Sequence, residues 1–268
     1  MSIELIKLKG VRNIRDLSQY QTLSNNKIKK HSFIRSAKLH KVKRKRLYKF
    51  LNEYNIKTII DLRTTLEVEE NKRVIYPADV KYIHLPVLDQ AYFGITHEKN
   101  MRTALYNQSK KMEGKDSYYN YMVDMYKGIV FDEYSQNKFK EFFDILLNNT
   151  SGNILFHCAG GKDRTGIASL FILTLLGVDK DIILDDYSMS DIVNKRHNRI
   201  IECLLKLLWN KSYRRLLSEM LYAKREYLEK TIESIEDKYE SINNYLELIL
   251  ELSKEKQEKF KSMYLELS

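Results

Sequence analysis

The sequence predicts an α/β fold: a central sheet flanked by helices, with a helical extension towards the C-terminus. Three observations predict it. Thr58-Ile59-Ile60-Asp61-Leu62, Lys81-Tyr82-Ile83-His84-Leu85 and Asn153-Ile154-Leu155-Phe156-His157 are short β-branched runs of the kind that form buried strands. Each lies close to a helical pattern, and strands alternating with helices make a sheet with helices on its faces. Finally, only 9 glycines and 2 prolines occur in 268 residues, well under the average of about 12%, which argues against a turn-dense β-sandwich.

The elements follow in order. Lys43 to Tyr54 reads as a helix leading into the Thr58 strand, and the run Lys41-Val42-Lys43-Arg44-Lys45-Arg46 reads as its wet face rather than as a nucleic-acid patch. Gln90 to Lys127 is the least patterned segment, compatible with helix, with a flap, or with both. Phe139 to Leu147 is a helix before the third strand, and Arg164 to Leu176 is a helix after it. Leu228, Ile232, Ile235 and Tyr239, then Tyr245, Ile249 and Leu252, mark amphipathic helix faces that are expected to form a layer packed on the sheet.

Composition narrows the function classes. Lys plus Arg outnumber Asp plus Glu by 46 to 36, a formal charge of +10, which favours an anionic partner without choosing among phosphorylated ligands, nucleic acid and an acidic lipid surface. No nucleic-acid motif supports the second. Two cysteines, Cys158 and Cys203, cannot form a disulfide framework, so a reducing, cytoplasmic setting is expected. The longest apolar run, Ile167 to Leu176, falls far short of the roughly 20 residues that cross a bilayer. Cys203 is expected in the core. Metal spacing is missing: no Cys-x-x-Cys occurs, and His97-Glu98 lacks the second histidine of a zinc helix.

The chemistry lies in Phe156-His157-Cys158-Ala159-Gly160-Gly161-Lys162-Asp163-Arg164-Thr165-Gly166. An apolar strand precedes it and an apolar helix follows, a junction that turns main-chain N–H groups and a positive helix end towards one spot. Gly160 and Gly161 are expected to let the amides of Ala159 to Arg164 converge on phosphate oxygens. It is not a Walker loop, because Lys162 is followed by Asp163 and Phe156 stands where the first glycine belongs. Cys158 at the start of such a cradle is expected to be a thiolate placed for in-line attack on phosphorus. Arg164 has the planar fork to grip two equatorial oxygens and to stabilise the transition state. Thr165 can offer its hydroxyl to the sulfur as it leaves. The ordinary alternative, a small buried cysteine at a strand end, leaves the arginine, threonine and glycine offsets unexplained.

His157 to Gly166 resembles the H-C-x5-R-T-G loop of cysteine-dependent phosphatases. Its Gly-Lys-Asp-Arg-Thr-Gly ending resembles that of the bacterial and fungal tyrosine/serine protein phosphatase family, with its mycobacterial and lipid-phosphatase-like members. Asn13-Ile14-Arg15-Asp16-Leu17 with Tyr20, Phe33-Ile34-Arg35-Ser36, Ile60-Asp61-Leu62-Arg63 with Glu67, Asp186-Tyr187, and Tyr222 to Leu228 resemble further elements of that family in order. Ser18-Gln19 stands where the family has Gly-Gly, so the turn there is expected to differ. The resemblance implies a cysteine-phosphatase-like sheet, phosphomonoester hydrolysis through a phosphocysteine, and no metal or other cofactor. It implies one domain over 1–268, with an α/β core over 1–187 and a helical layer over 188–268.

Expulsion of the leaving group needs an acid. Asp163, inside the loop, is favoured by the resemblance; Asp89, in the turn Leu85-Pro86-Val87-Leu88-Asp89, is the rival. Lys162 adds positive charge at the rim, and the resemblance links a loop lysine to phosphoinositides beside phosphotyrosine. His157 is expected to orient the loop, and Asn13, Arg15, Asp16, Arg35, Asp61 and Arg63 to brace it from behind. The leading expectation is a protein-tyrosine phosphatase with Ser/Thr and phosphoinositide side activity and peripheral contact with anionic lipid. The alternatives are a phosphoinositide phosphatase, a sulfurtransferase, and a non-catalytic phosphate-binding module.

Overall fold

The structure is a computed structural model that describes residues 3–71, 73–89, 101–112, 116–207 and 210–266. The first half of the chain runs β1 (Arg15–Asp16), β2 (Lys27–Ile28), β3 (Phe33–Ser36), α1 (Arg44–Glu53), β4 (Ile56–Asp61), α2 (Thr65–Glu69), β5 (Lys81–His84), α3 (Met101–Lys111) and α4 (Asp116–Phe131). The second runs α5 (Glu133–Leu147), β6 (Asn153–His157), α6 (Asp163–Leu175), α7 (Lys180–Leu205), α8 (Lys211–Leu221), α9 (Arg225–Tyr239), α10 (Ile242–Leu248), α11 (Lys254–Tyr264) and β7 (Leu265–Glu266).

The main sheet has the order β1-β3-β6-β4-β5. β3, β6, β4 and β5 are parallel, and the short β1 closes one edge antiparallel to β3. Parallel pairing brings the carboxyl ends of four strands side by side: Ser36 faces His157, His157 faces Asp61, and Asp61 faces His84. Ligand sites of open α/β sheets lie at this edge. The three expected strands are all present, and β3 is a fourth.

Because strand side chains alternate, the sheet divides two cores. Phe33, Ile60, Ile154 and Phe156 face the core shared with α4, α5 and α6. Ile34, Ile59 and Leu155 face the other, closed by Leu47, Phe50 and Leu51 of α1. The residues of α1 at 44–46 are exposed, so the basic run is a solvated face. Asp132 caps α5 by accepting from Ser135 N at 3.1 Å. α6 is buried along almost its whole length, as its unbroken apolar run requires.

The C-terminal helices differ from expectation. α9 packs on α4, α7 and α10, α10 on α6, and α11 on α5 and α6. They layer mostly over helices, and α11 also reaches the sheet, where the rings of Phe260 and Tyr264 lie 5.9 Å and 4.4 Å from Phe33 of β3. The face expected to run from Tyr245 through Leu252 is broken: α10 stops at Leu248, and Glu251 takes a left-handed φ of 55° that turns the chain while Tyr245 and Leu252 both stay buried. The boundary expected at 187 falls within α7, so core and helical layer share one continuous helix. α3 and α4 make part of the unpatterned Gln90–Lys127 stretch helical; the segment 90–100, with His97 and Glu98, lies outside the described residues. Cys203 is exposed on α7 rather than in the core, because the helix's inner face there is taken by Asn194 and Asn198. Among the described residues, no helix is long and apolar enough to cross a membrane.

Phe171 on α6 joins three of these helices, with its ring 5.2 Å from Phe139 of α5 and 5.5 Å from Tyr245 of α10. Phe171→Ala is expected to cost about 3–5 kcal/mol, read as a lower urea midpoint.

Candidate active site

β6 delivers His157 and Cys158 to the carboxyl edge, and α6 begins five residues later at Asp163. Between them the loop is held from outside through its carbonyls. His157 Nδ1 lies 3.2 Å from Cys158 O, and Lys38 N donates to Ala159 O at 3.2 Å. Asn13 Nδ2 donates to Gly161 O at 2.8 Å and reaches Gly160 O at 3.3 Å. Arg35 adds a second donor to Gly161 O at 2.8 Å. With these acceptors tied down, the first-turn amides of α6 have no partner within the helix.

Glycine is required at two of the three loop positions that carry it. Gly161 has a φ of +64°, and a Cβ there would sit 2.5 Å from the Ser36 carbonyl. At Gly166 a Cβ would come within 2.9 Å of the Tyr187 ring. Gly160, expected to share the curling, has neither constraint.

Cys158 is buried, at the foot of this loop. Arg164 is fully buried, and its fork binds Glu67 bidentately, NH1 to Oε2 at 2.5 Å and NH2 to Oε1 at 3.0 Å. Burial would lower the guanidinium's pKa, but the charges of Glu67 and Cys158 outweigh that and raise it. Arg164 therefore stays charged. Glu67 is itself positioned by a capping box with Thr64 at the start of α2. Thr165 Oγ1 is buried and has no hydrogen-bond partner among the described residues.

A second carboxylate organises the opposite side. Asp186 of α7 accepts from Arg15 Nε at 2.9 Å, from Tyr20 Oη at 2.7 Å and from Arg35 NH1. Burial pushes its carboxyl up, but Arg15 and Arg35 prevail and hold it below the ordinary range. Asn13 completes the brace: it takes a left-handed φ of 59°, accepts from Arg15 NH1 and donates to Ser190 Oγ at 3.2 Å. Asp61 binds Arg63 through Nε at 2.9 Å and through NH2, and accepts from Tyr82 Oη at 2.9 Å. Burial acts to raise Asp61, yet His157, Arg63 and Tyr82 together lower it. Burial lowers the pKa of His157 against the pull of Asp61.

Several residues singled out in the sequence sit differently from their reading. Asp16 does not brace the loop: it accepts from Ser18 N at 2.9 Å and pairs with His31 Nδ1 at 2.5 Å, capping the turn at Leu17–Gln19. Ser18 and Gln19 need no glycine there, since neither has a positive φ, and both side chains hold the turn through His31 N and Asp16 O. Lys162 turns away from the loop centre, donating to Met220 O at 2.7 Å and Tyr222 O at 3.2 Å at the end of α8. The acid candidates differ too. Asp163 is buried, and its Oδ1 accepts the Tyr126 hydroxyl and lies 3.4 Å from Lys162 Nζ. Tyr126 contacts Tyr187 through their hydroxyls at 2.5 Å, and burial, with Asp163 beside them, keeps both phenols protonated. Asp89 is exposed, five residues past the end of β5.

Glu67, Asp186, Tyr20 and Tyr187 stood in the sequence elements without assigned roles. Tyr126 carried no signal, lying in the unpatterned stretch. Among the described residues, no group of three or more His, Cys, Asp and Glu side chains could hold a metal ion.

Comparison with known proteins agrees with this geometry. The triple specificity protein phosphatase PtpB of Mycobacterium tuberculosis is 28% identical over 218 residues, covering 73% of this chain and 78% of the relative. A Cupriavidus necator protein whose name places it among the tyrosine-protein phosphatases is 32% identical over 117 residues, 43% of this chain and 42% of its own length. A tyrosine-protein phosphatase of Nostoc commune is 44% identical over 57 residues, 21% of this chain and 19% of its own; the chain thus matches under half the length of the last two. A model of the tyrosine phosphatase family matches residues 6–266, nearly end to end. The chain belongs to the tyrosine phosphatase family.

Proposed function

We propose that the chain is a cysteine-dependent phosphomonoesterase acting on phosphotyrosine, working as one catalytic domain. The observation that carries this reading is the junction of β6 and α6: a buried Cys158, a charged Arg164 fixed by Glu67, and the uncommitted hydroxyl of Thr165 converge on one short loop. The Cys158 thiolate attacks phosphorus in line, forming the S–P bond as the ester P–O bond breaks. The leaving oxygen takes its proton from Asp163, whose Oδ2 is clear of the Tyr126 contact. Arg164 and the loop amides of Ala159, Gly160, Gly161, Lys162 and Asp163 carry the charge of the equatorial oxygens. Water then attacks the phosphocysteine and gives its proton to the Asp163 carboxylate, while Thr165 donates to the departing sulfur. Phosphate leaves and the thiolate is restored.

Asp89 is the alternative acid. Its exposure at the carboxyl edge favours a role in which it swings to the substrate. We extend the proposal to phosphoserine, phosphothreonine and phosphoinositides presented on anionic lipid; the mycobacterial relative is named for a triple specificity, which is in keeping with more than one substrate class. Lys162 supports that extension less than its place in the loop suggested, because its ammonium is occupied by carbonyls of the α8–α9 junction.

Cys158→Ser is expected to abolish hydrolysis of an aryl phosphate and of a phosphotyrosine peptide. The wild-type activity is expected to survive chelator and yield to vanadate; retained turnover in the variant refutes the mechanism. Asp163→Asn is expected to slow esters with poor leaving groups by about 10²–10⁴-fold and activated aryl esters far less. The same pattern in Asp89→Asn instead transfers the acid's role there. Asp186→Asn leaves Arg15 and Arg35 without their shared carboxylate and is expected to cost about 3–5 kcal/mol of stability near neutral pH. Because the folded pKa of Asp186 is lowered, its contribution is complete above the ordinary carboxylate value of about 4 and is lost as pH falls through the folded value. The gap between wild type and variant in urea unfolding should therefore close in acid; a gap independent of pH contradicts it.

A further inference from the structure

The carboxyl group of Asp163, in the first turn of α6, has two oxygens in different surroundings. Oδ1 accepts from the Tyr126 hydroxyl and lies 3.4 Å from the Lys162 ammonium. Oδ2 has no hydrogen-bond partner among the described residues. Tyr126 lies on the buried face of α4 with Met122, Ile129 and Val130, all without exposure. Its ring stands edge-on to Tyr187 of α7, with centroids 6.0 Å apart, and lies 5.7 Å from the ring of Tyr227 on α9. A phenylalanine would fill that slot with the same ring, so packing gives no reason for the hydroxyl.

Counting donors gives one. A phenol has a single proton to donate, and a carboxylate oxygen only accepts. Burial, with Asp163 beside them, keeps both phenols protonated. The Tyr126 and Tyr187 hydroxyl oxygens are 2.5 Å apart, and Tyr187 Oη makes no other hydrogen bond among the described residues. Were Tyr126 to donate to Tyr187, the Tyr187 proton would be left in the interior without an acceptor, which is costly. With Tyr187 donating to Tyr126 and Tyr126 donating to Asp163 Oδ1, every donor in the chain is used. The Lys162 ammonium sets positive charge beside the same oxygen. A proton on Oδ1 would face both groups, so the carboxyl proton belongs on Oδ2.

We propose that Tyr126, backed by Tyr187, is a positioning residue for the general acid: it holds the Asp163 carboxyl through Oδ1 and confines the transferable proton to Oδ2. The inference rests on the phosphatase reading with Asp163 as its acid. In the first step the Oδ2 proton passes to the leaving oxygen as the ester P–O bond breaks. In the second, Oδ2 takes a proton from the water that displaces sulfur from phosphorus. Oδ1 accepts from Tyr126 whether or not Oδ2 is protonated, so one hold serves both steps. Tyr126 is fully buried and acts only through Asp163.

Tyr126→Phe removes the hydroxyl and keeps the ring. It is expected to lower kcat about tenfold on aryl phosphates with poor leaving groups, a part of the roughly 10²–10⁴-fold that a general acid supplies. KM and the turnover of activated aryl esters should stay unchanged. In an Asp163→Asn background the same change should cost nothing further, because the two residues act as one unit. Should the single variant fold poorly, Tyr126→Phe/Tyr187→Phe leaves no phenol without an acceptor and is expected to show the same leaving-group pattern. Equal slowing of poor and activated esters, no slowing of either, or an added loss in the Asp163→Asn background overturns the positioning role while the phosphatase reading stands. So does a leaving-group effect in Asp89→Asn that is absent from Asp163→Asn. A wild type that turns over no phosphate ester overturns the phosphatase reading and this inference with it.

Discussion

The buried pairing of guanidinium and carboxylate groups behind the loop is the constraint on which the rest depends. Arg15, Arg35, Arg63 and Arg164 are all buried, and three buried carboxylates, Asp61, Glu67 and Asp186, answer them. Removing each ion from water costs several kcal/mol, which attraction offsets only where geometry is close and remaining donors are satisfied. Here the forks are bidentate or shared, and loop carbonyls and Asn13 take up further N–H groups. Such an arrangement has one low-energy geometry, and that geometry fixes the loop. It also leaves positive charge in excess of carboxylate beneath the loop, the condition under which an anionic group is bound strongly.

Sheet topology makes this pairing attainable. Arg15 and Arg35 stand opposite each other across the antiparallel β1–β3 pair, so a single carboxylate arriving on α7 serves both. Parallel pairing of β3, β6 and β4 lines up Ser36, His157 and Asp61, which brings Arg63 and the capping box of α2 to the other flank. Gly166 lacks the Cβ that would separate α6 from Tyr187, so α7 approaches closely enough for Asp186 to reach both arginines. α7 thus spans the boundary expected between core and extension, because the site takes residues from two consecutive turns of it, Asp186 and then Ser190.

The loop of residues 157–166 was legible in the chain because its chemistry is local. Strand, turn, helix start and the spacing from Cys158 to Arg164 all fall within eleven residues, and each offset has its own physical reason. The strands at 58, 81 and 153 and the helices around them were legible for the same reason: periodic burial is a property of neighbours. Asn13, Arg15, Arg35, Asp61 and Arg63 were legible as bracing residues through resemblance, though which partner each would take was not. Asp16 shows the limit, since it shares the same short motif yet serves only its own turn.

What only the tertiary structure decided involves partners far apart in the chain or directions within one side chain. Glu67 lies 97 positions before Arg164, and Asp186 lies 171 after Arg15. Local pattern assigns a face to each but no partner. Lys162 could have turned to the loop or to the end of α8, and packing of α8 selected the second. Tyr126, in a stretch with no clear period, meets Asp163 only because α4 packs on α6. Cys203 stands in a stretch with Ile200, Ile201, Leu204 and Leu205, but the rotation of α7 is fixed by Asp186, Ser190 and Asn194 facing inward, which leaves residue 203 outside. Sequence by itself determined the strand–loop–helix junction at 157–166 and the alternation of elements, because both are set by covalent neighbours. Its counter-charges and the fate of its lysine were set by the fold, because they depend on surfaces that meet only when the sheet and α7 are assembled.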